Sequence, residues 1–456
     1  MNILFVTHEI GHADCIAIGY LSAIAKEGGH KTFFCTLHSC DFVETVVDIQ
    51  PDVVAYSVNI VGYDNIVKAN KAAKKRCNFV SIMGGPQATF SPDTFEESGM
   101  DAYCVGEGEY PFKEFLKCIS EKKSFGRVDN LITKEGANPI RDLIKNLDDL
   151  PKCDRDLTIS NSFLKNISKK TFYAARGCFF KCSYCCNSYY RKLYKGKGKV
   201  LRRFSVERII REIEDVKTKY KTDFIKFGDD MFVWKADDWL KEFSEKYSQR
   251  INIPFNCFLR IDAIDDEVLY LLKKAGCHSV HVSVDSLSKD VREDVLQRKM
   301  KNIDMIDRLK KIRSYGIKTW VNFMLAAPES SLKNDLDTIL FSKKAKITYP
   351  SYSTTVPMKR TELYDLCLDR GYIDENHNDD MSGCTARSGM NCFSDKEKNI
   401  RYNIFLVGAM ITKLPYPFDR FCIKAIQFIP PNHLFEWIRK ISYNYYITHK
   451  IFKTRR

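Results

Sequence analysis

A chain of 456 residues that is 44% hydrophobic, 12% aromatic and 29% charged has the size and composition of two or three globular domains. Disorder, collagen and coiled coil are excluded, and with no run of about 18 apolar residues a membrane-spanning helix is not expected. The net charge of +14 is concentrated in two places, Arg191–Arg203 (RKLYKGKGKVLRR) and the stretch beyond Pro431, so a general nucleic-acid binder is not indicated. The start, MNILFVTHEIGHAD, lacks a basic segment followed by an apolar run, which points to a cytoplasmic protein. Its 17 cysteines, an odd number, are then expected to be mostly buried thiols, and any tight group of them becomes a metal or catalytic candidate.

In chain order, strands are expected at Asn2–Val6, Lys31–Thr36, Val53–Val58, Phe79–Met83 and Ala102–Val105, with helices near 16–27 and 65–75 and from Tyr110. This βαβ rhythm implies a doubly wound, Rossmann-like parallel sheet whose ligands sit at the strand C-termini. Residues 126–168 read as a polar linker. The rhythm resumes near residue 169 with strands at Phe172–Arg176, Phe224–Phe227, Phe255–Arg260, Ser279–Val284, Lys318–Met324 and Tyr349–Thr354, and with a long helix at Val206–Tyr220. Six βα units in that span suit a partial (β/α)6 barrel, with chemistry at the strand C-termini. After Arg370 the pattern breaks, and residues 371–456 read as a mostly helical cap with a basic, aromatic tail. The expected domains are therefore 1–125, a linker at 126–168, a barrel at 169–370 and the cap.

The sharpest motif follows the first barrel strand: Arg176-Gly-Cys178-Phe-Phe-Lys-Cys182-Ser-Tyr-Cys185-Cys186-Asn. Cys178, Cys182 and Cys185 form C-x3-C-x2-C, with no fourth ligand at zinc-finger spacing. Three thiolates can hold three irons of a 4Fe–4S cluster and leave the fourth open. With Tyr184 before the last cysteine, the segment resembles the radical S-adenosylmethionine (SAM) superfamily. That resemblance implies a cluster held by Cys178, Cys182 and Cys185, with Cys186 outside the ligand set. It also implies SAM chelated to the open iron and cleaved to a 5′-deoxyadenosyl radical. Carried over position by position, it makes Tyr184, Gly228, Asp229, Asp230, Arg260, Ser283, Asp285 and Arg298 SAM-binding candidates. Gly228-Asp229-Asp230 departs from the family's Gly-Gly-Glu-like run, Asp285 replaces a Glu, and Ala327 in LAAPESS replaces a Gly. A zwitterionic amino-acid head asks for a carboxylate and a guanidinium together, which this set contains.

The N-terminal sheet domain, with Gly84-Gly85-Pro86-Gln-Ala-Thr89 and Val105-Gly106-Glu107-Gly-Glu109, resembles the cobalamin-binding domain that precedes many radical SAM proteins. The resemblance makes Ser57, Gly84, Gly85, Pro86, Thr89, Gly106 and Glu107 cobalamin-binding candidates. His8 stands in a partial match, His-x-x-Gly without the Asp, to the motif that supplies a lower cobalt ligand in other cobalamin proteins. Most members of the radical branch leave cobalt without a histidine, so no ligation by His8 is expected. His12, His30 and His38 lie nearby.

These resemblances imply a cobalamin-dependent radical SAM enzyme, with methylation of an unactivated carbon as the expected reaction. A non-methylating radical reaction such as ring closure, and a cobalamin or iron–sulfur sensor without turnover, remain the alternatives. Expected partners are a small-molecule or lipid-linked substrate and an electron donor such as flavodoxin or ferredoxin. The run Arg191–Arg203 is either a solvated face or a contact for an anionic substrate or reductant. In the tail, Phe435, Trp437, Tyr443, Tyr445, Tyr446 and Phe452 alternate with Arg439, Lys440, Lys450, Lys453, Arg455 and Arg456. That pattern suits either peripheral contact with a membrane or a helix packed on the barrel.

Overall fold

The structure, a computed structural model, describes residues 1–11, 14–300, 303–377 and 381–453; His12, Arg455 and Arg456 lie outside the described residues. It divides into one unit of residues 1–170, 190–202 and 214–221 and another of residues 171–189, 203–213 and 222–456.

Alternation along β1 (Asn2–Thr7) sets the first unit. Ile3 and Phe5 enter one apolar cluster, Leu4 and Val6 another, so both sheet faces must be covered. The chain continues through α1 (Ile16–Glu27), β2 (Lys31–Thr36), α2 (Phe42–Ile49), β3 (Val53–Ser57), α3 (Tyr63–Lys74), β4 (Val80–Gly84), α4 (Pro86–Phe90), α5 (Phe95–Ser98), β5 (Ala102–Cys104), α6 (Glu109–Ser120), β6 (Leu131–Thr133), β7 (Gly136–Ala137) and α7 (Arg155–Ser160). Phe42 and Val46 of α2 and Ile66 of α3 meet Leu4 and Val6; Ile18 of α1 and Phe112 and Phe115 of α6 meet Ile3 and Phe5. The sheet order is β2-β1-β3-β4-β5-β6-β7, parallel through β5 and antiparallel beyond it. The order reverses between β1 and β3, and the strand ends at such a switch point form a crevice for ligands. Residues 126–168, expected as a linker, supply β6, β7 and α7, and Arg155 of α7 forms a buried ion pair with Asp14.

The second part of the chain runs through β8 (Lys169–Phe172), β9 (Ala175–Arg176), α8 (Cys186–Leu193), β10 (Arg202–Arg203), α9 (Val206–Lys219), β11 (Phe224–Phe227), α10 (Asp238–Arg250), β12 (Phe255–Arg260), α11 (Asp266–Lys274), β13 (Cys277–Asp285), α12 (Met305–Ser314), β14 (Lys318–Leu325), α13 (Leu332–Lys344) and β15 (Tyr349–Thr354). Strands β8, β11, β12, β13, β14 and β15 are neighbours in that order, and β11 to β15 are parallel, which is the expected partial barrel. The helices start at side-chain caps: Asp237, Asp265, Asp304 and Ser331 accept from backbone N–H groups of α10 to α13. The strand expected at 172–176 is broken. β8 ends at Phe172, and the Tyr173 ring lies where a Cβ on Gly228 would be, 2.8 Å away.

The cap consists of α14 (Glu362–Asp369), α15 (Asp395–Ile411), α16 (Phe418–Ala425) and α17 (His433–Tyr445), followed by a π-helical turn at Tyr446–Ile451. α15 is the buried member, opened by a Ser394–Glu397 capping box and fixed by an ion pair between Arg401 and Asp335 at 2.6 Å. The end of the chain is a packing element. Ile451 and Phe452 are buried, the Ile451 carbonyl accepts from Ser279 Oγ at 2.8 Å, and Phe452 meets Phe224 and Trp320 at the N-terminal end of the barrel strands.

Candidate functional site

The three motif cysteines lie on the loop between β9 and α8. That loop leaves β9 through Gly177, whose φ of +82° suits glycine. Ser183 pins it twice, its N–H donating to the Leu296 carbonyl at 3.0 Å and its hydroxyl to the Val295 carbonyl at 2.7 Å. Cys182 is buried, and Cys178 and Cys185 are half-buried. Burial pushes the Cys178 thiol up to about 11. The neighbouring Cys186 thiol lowers the Cys185 pKa.

Tyr184, Asp285, Ser283 and Arg298 form one buried network. Tyr184 donates to Asp285 Oδ2 at 2.7 Å, Ser283 Oγ donates to Asp285 Oδ1, and Arg298 Nη2 donates to the Ser283 carbonyl at 3.0 Å. Arg298 Nε lies 2.7 Å from Asp285 Oδ2, an ion pair at a poor hydrogen-bond angle, with both side chains nearly sequestered. Burial opposes the Arg298 charge, but Asp285 and Tyr184 outweigh it and raise its pKa. Asp285 is positioned by strain: its φ is +63°, and the β13–β14 register shifts between Ser283 and Asp285.

The other candidates from the barrel divide. Arg260 is held bidentate by Asp262 at 2.9 and 3.0 Å, and its guanidinium lies 3.6 Å from the Phe180 ring of the cluster loop. Asp230 is exposed at the surface, and desolvation raises its pKa against a hydrogen bond from Asn187 of α8 that lowers it. Asp229 turns inward instead. Its Oδ1 accepts from the Ala175 N–H at 2.5 Å, and burial raises it to about 7. Gly228 is the space that Tyr173 needs.

On the same strand face as Arg260 and Ser283 lie residues that sequence reasoning missed. His281 stacks flat on Trp320 at 4.0 Å and meets Phe258 at 4.5 Å, and Lys226 sits over Phe258. Burial, then Lys226, lowers His281 to about 3, so it is neutral. The period-2 pattern of FIKF and HVSVD was a signal for these polar residues, since each interrupts an apolar strand.

In the sheet unit, Ser57 and Gly84 end β3 and β4, side by side in register. Gly85 has φ +93°, and a Cβ there would lie 2.9 Å from the Val58 carbonyl oxygen; Pro86 follows as the first residue of α4. Thr89, Gly106 and Glu107 are engaged internally. Thr89 Oγ1 donates to the Gly85 carbonyl and accepts from the Gly106 N–H, both at 3.0 Å. A Cβ on Gly106 would lie 2.0 Å from the Tyr194 hydroxyl, and Glu107 clasps Arg202 at 2.8 and 3.0 Å. At the end of β1, His8 Nε2 is 2.9 Å from Asn65 Nδ2, while His8, Glu9 and His38 bring potential ligand atoms within 4.8 Å of one another.

Two family profiles match the chain, the Radical SAM superfamily over residues 172–339 and the B12 binding domain over residues 11–116. Residues 172–339 are a radical SAM domain, fused to a B12-binding domain at residues 11–116. This radical SAM protein is 26% identical over 336 residues to an uncharacterized methyltransferase of Pyrococcus horikoshii, covering 72% of each chain. It is 20% identical over 414 residues to the cytidylyl-2-hydroxyethylphosphonate methyltransferase of Streptomyces wedmorensis, covering 80% of this chain and 76% of that one. Its fold is that of the radical SAM methyltransferase TsrM from Kitasatospora setae, solved with cobalamin and a 4Fe–4S cluster, at a TM-score of 0.68, 15% identity and coverage of 80% and 75%.

The residues of this radical SAM protein fit the three cofactors its domains imply. Cys178, Cys182 and Cys185 bring three thiols together on one loop, a donor set for a 4Fe–4S cluster with one open iron. The Tyr184–Asp285–Arg298 network offers a carboxylate and a guanidinium to a zwitterion. At the sheet edge, a Cβ on Gly84 would meet nothing nearer than 3.9 Å, which leaves room for a bulky ligand against the backbone.

Proposed function

We propose that this radical SAM enzyme is a cobalamin-dependent methyltransferase acting on an unactivated carbon. The observation that carries the reading is the presence, in one chain, of the three-cysteine loop beside the Asp285–Arg298 pair and of a B12-binding domain. Similarity over most of the chain to two proteins named as methyltransferases supports it. When bound, the cofactors supply a 5′-deoxyadenosyl radical to take a hydrogen atom and a cobalt-borne methyl group to replace it. The chain's part is to hold and orient. Cys178, Cys182 and Cys185 grip the cluster; Arg298, Asp285 and Tyr184 fix the amino-acid head of SAM; Phe258, His281 and Trp320 stack on the strand face that carries Arg260 and Ser283. The substrate is a small or lipid-linked molecule, and a carrier such as flavodoxin or ferredoxin delivers the electron.

Product analysis tests the reading. Reduced, cobalamin-loaded enzyme given SAM and fractionated cell extract should form S-adenosylhomocysteine alongside 5′-deoxyadenosine. 5′-Deoxyadenosine alone with every fraction would replace methylation by another radical reaction, and neither product would make the protein a sensor.

A further inference from the structure

The cap carries an apolar surface that nothing in the proposed chemistry uses. Of fifteen large hydrophobic side chains exposed among the described residues, ten lie between Tyr416 and Tyr445. Scattered exposed hydrophobics are ordinary, but a concentration of this kind marks an interaction face. α17 shows how it arises. Leu434, Trp437, Ile441 and Tyr445 follow at spacings of three and four residues, a single helical stripe, and all four are exposed, Trp437 at 59%. The opposite side of α17 does the packing, with Arg439 stacked 3.8 Å from the Phe405 ring of α15. On α16, Phe418 and Phe421 are exposed while Asp419 turns inward to Lys343. Phe428, in the connection between the two helices, is 76% exposed.

Basic side chains predominate around this face. Arg420, Lys424 and Lys440 are exposed. Of the two acids in α16 and α17, Asp419 is buried in its ion pair with Lys343, which leaves Glu436 as the single exposed acid against these three basic residues. An apolar stripe containing Trp and Tyr, rimmed by an excess of Lys and Arg, matches an anionic bilayer in both its chemistry and its layering. A protein partner would have to offer an apolar patch ringed by acids. A bilayer containing anionic lipid presents that arrangement everywhere. We propose that α16 and α17 form a monotopic docking face by which the protein sits on an anionic membrane surface, with the aromatic side chains at headgroup level. The face belongs to the cap, which α15 anchors to the barrel, so it is presented on a fixed support.

The test uses the full-length, cluster-loaded protein and vesicles of phosphatidylcholine with or without 30% phosphatidylglycerol (roughly the anionic fraction at which surface charge attracts basic residues). The protein should sediment with the anionic vesicles at low salt, and Trp437 fluorescence should be quenched by brominated lipid. The triple variant Arg420→Gln, Lys424→Gln, Lys440→Gln should bind about a hundredfold more weakly, since each basic residue near such a surface contributes about fivefold. Phe418→Ser, Phe421→Ser, Trp437→Ser should abolish the binding that survives high salt. Iron content and melting unchanged in both variants separate docking from folding. Deleting residues 433–456 is not an equivalent test, because Ile451 and Phe452 close the barrel base. Three results would overturn the proposal: no sedimentation of the parent with anionic vesicles, sedimentation equal for parent and variants, or a parent dimer that the apolar variant converts to monomer, which would assign the face to a second copy of the chain.

Discussion

Replacing Arg298 with Met tests whether the buried ion pair is a SAM contact or only a brace. The change leaves the Asp285 carboxylate, 1% exposed, with two hydroxyl partners and without its ion-pair partner. Breaking a buried pair from one side costs about 3–5 kcal/mol. Adding Asp285→Asn removes the stranded charge and should return about half or more of that loss, because the pair as a whole is worth little against neutral groups of similar size. SAM affinity should behave differently. Both the single and the double variant lack the guanidinium, and a charge-assisted hydrogen bond of about 1.5–3 kcal/mol predicts binding roughly ten- to a hundredfold weaker in each. All four tryptophans (Trp234, Trp239, Trp320 and Trp437) lie in the barrel-and-cap unit, so fluorescence-monitored urea unfolding reads that unit alone. Equilibrium dialysis with SAM supplies the second axis. Equal stability of the single and double variants would refute the stranded-charge argument. Parent-like SAM affinity in the double variant would detach Arg298 from the SAM site.

Three further outcomes follow from the geometry. Replacing Cys178, Cys182 and Cys185 by Ala should abolish the cluster, whereas Cys186→Ala should keep about four irons per chain; four irons in the triple variant would place the cluster elsewhere. Asp229 is protonated more readily folded than unfolded, so it weakens stability as pH rises from its ordinary range through about 7, by about 4 kcal/mol at the limit. Asp229→Asn should therefore gain on the parent at pH 8 and not at pH 4, and a gain independent of pH would contradict the burial argument. His8→Ala should leave the spectrum of bound cobalamin unchanged, since His8 Nε2 is engaged with Asn65; a shifted spectrum would make His8 a cobalt ligand.

The strands were legible because each parallel strand is a short apolar run between helical stretches, and the bounds of β2, β11, β12 and β15 match the expectation. α2 was not, because FVETVVDI is a single eight-residue turn-rich run with only Phe42 and Val46 buried. The three-cysteine loop was readable because spacing alone encodes cluster geometry. Asp285 and Arg298 were readable only through resemblance, since no local pattern joins residues thirteen apart across a π-helical turn. Glycines were ambiguous for a physical reason. A missing Cβ makes room for a ligand or for a distant side chain, and the sequence cannot distinguish the open edge at Gly84 from the seat of Tyr194 at Gly106. The basic run had the same ambiguity. Its last two members are structural, Arg202 clasping Glu107 and Arg203 lying 3.6 Å from the Trp234 ring.

The segment that ends on Phe452 also governs traffic. Phe452 seals the N-terminal end of the barrel strands against Phe224 and Trp320, so the barrel is a vessel with a closed floor. A molecule moving along the barrel axis therefore has one open end to use, that of the strand C-termini, where the cluster loop stands.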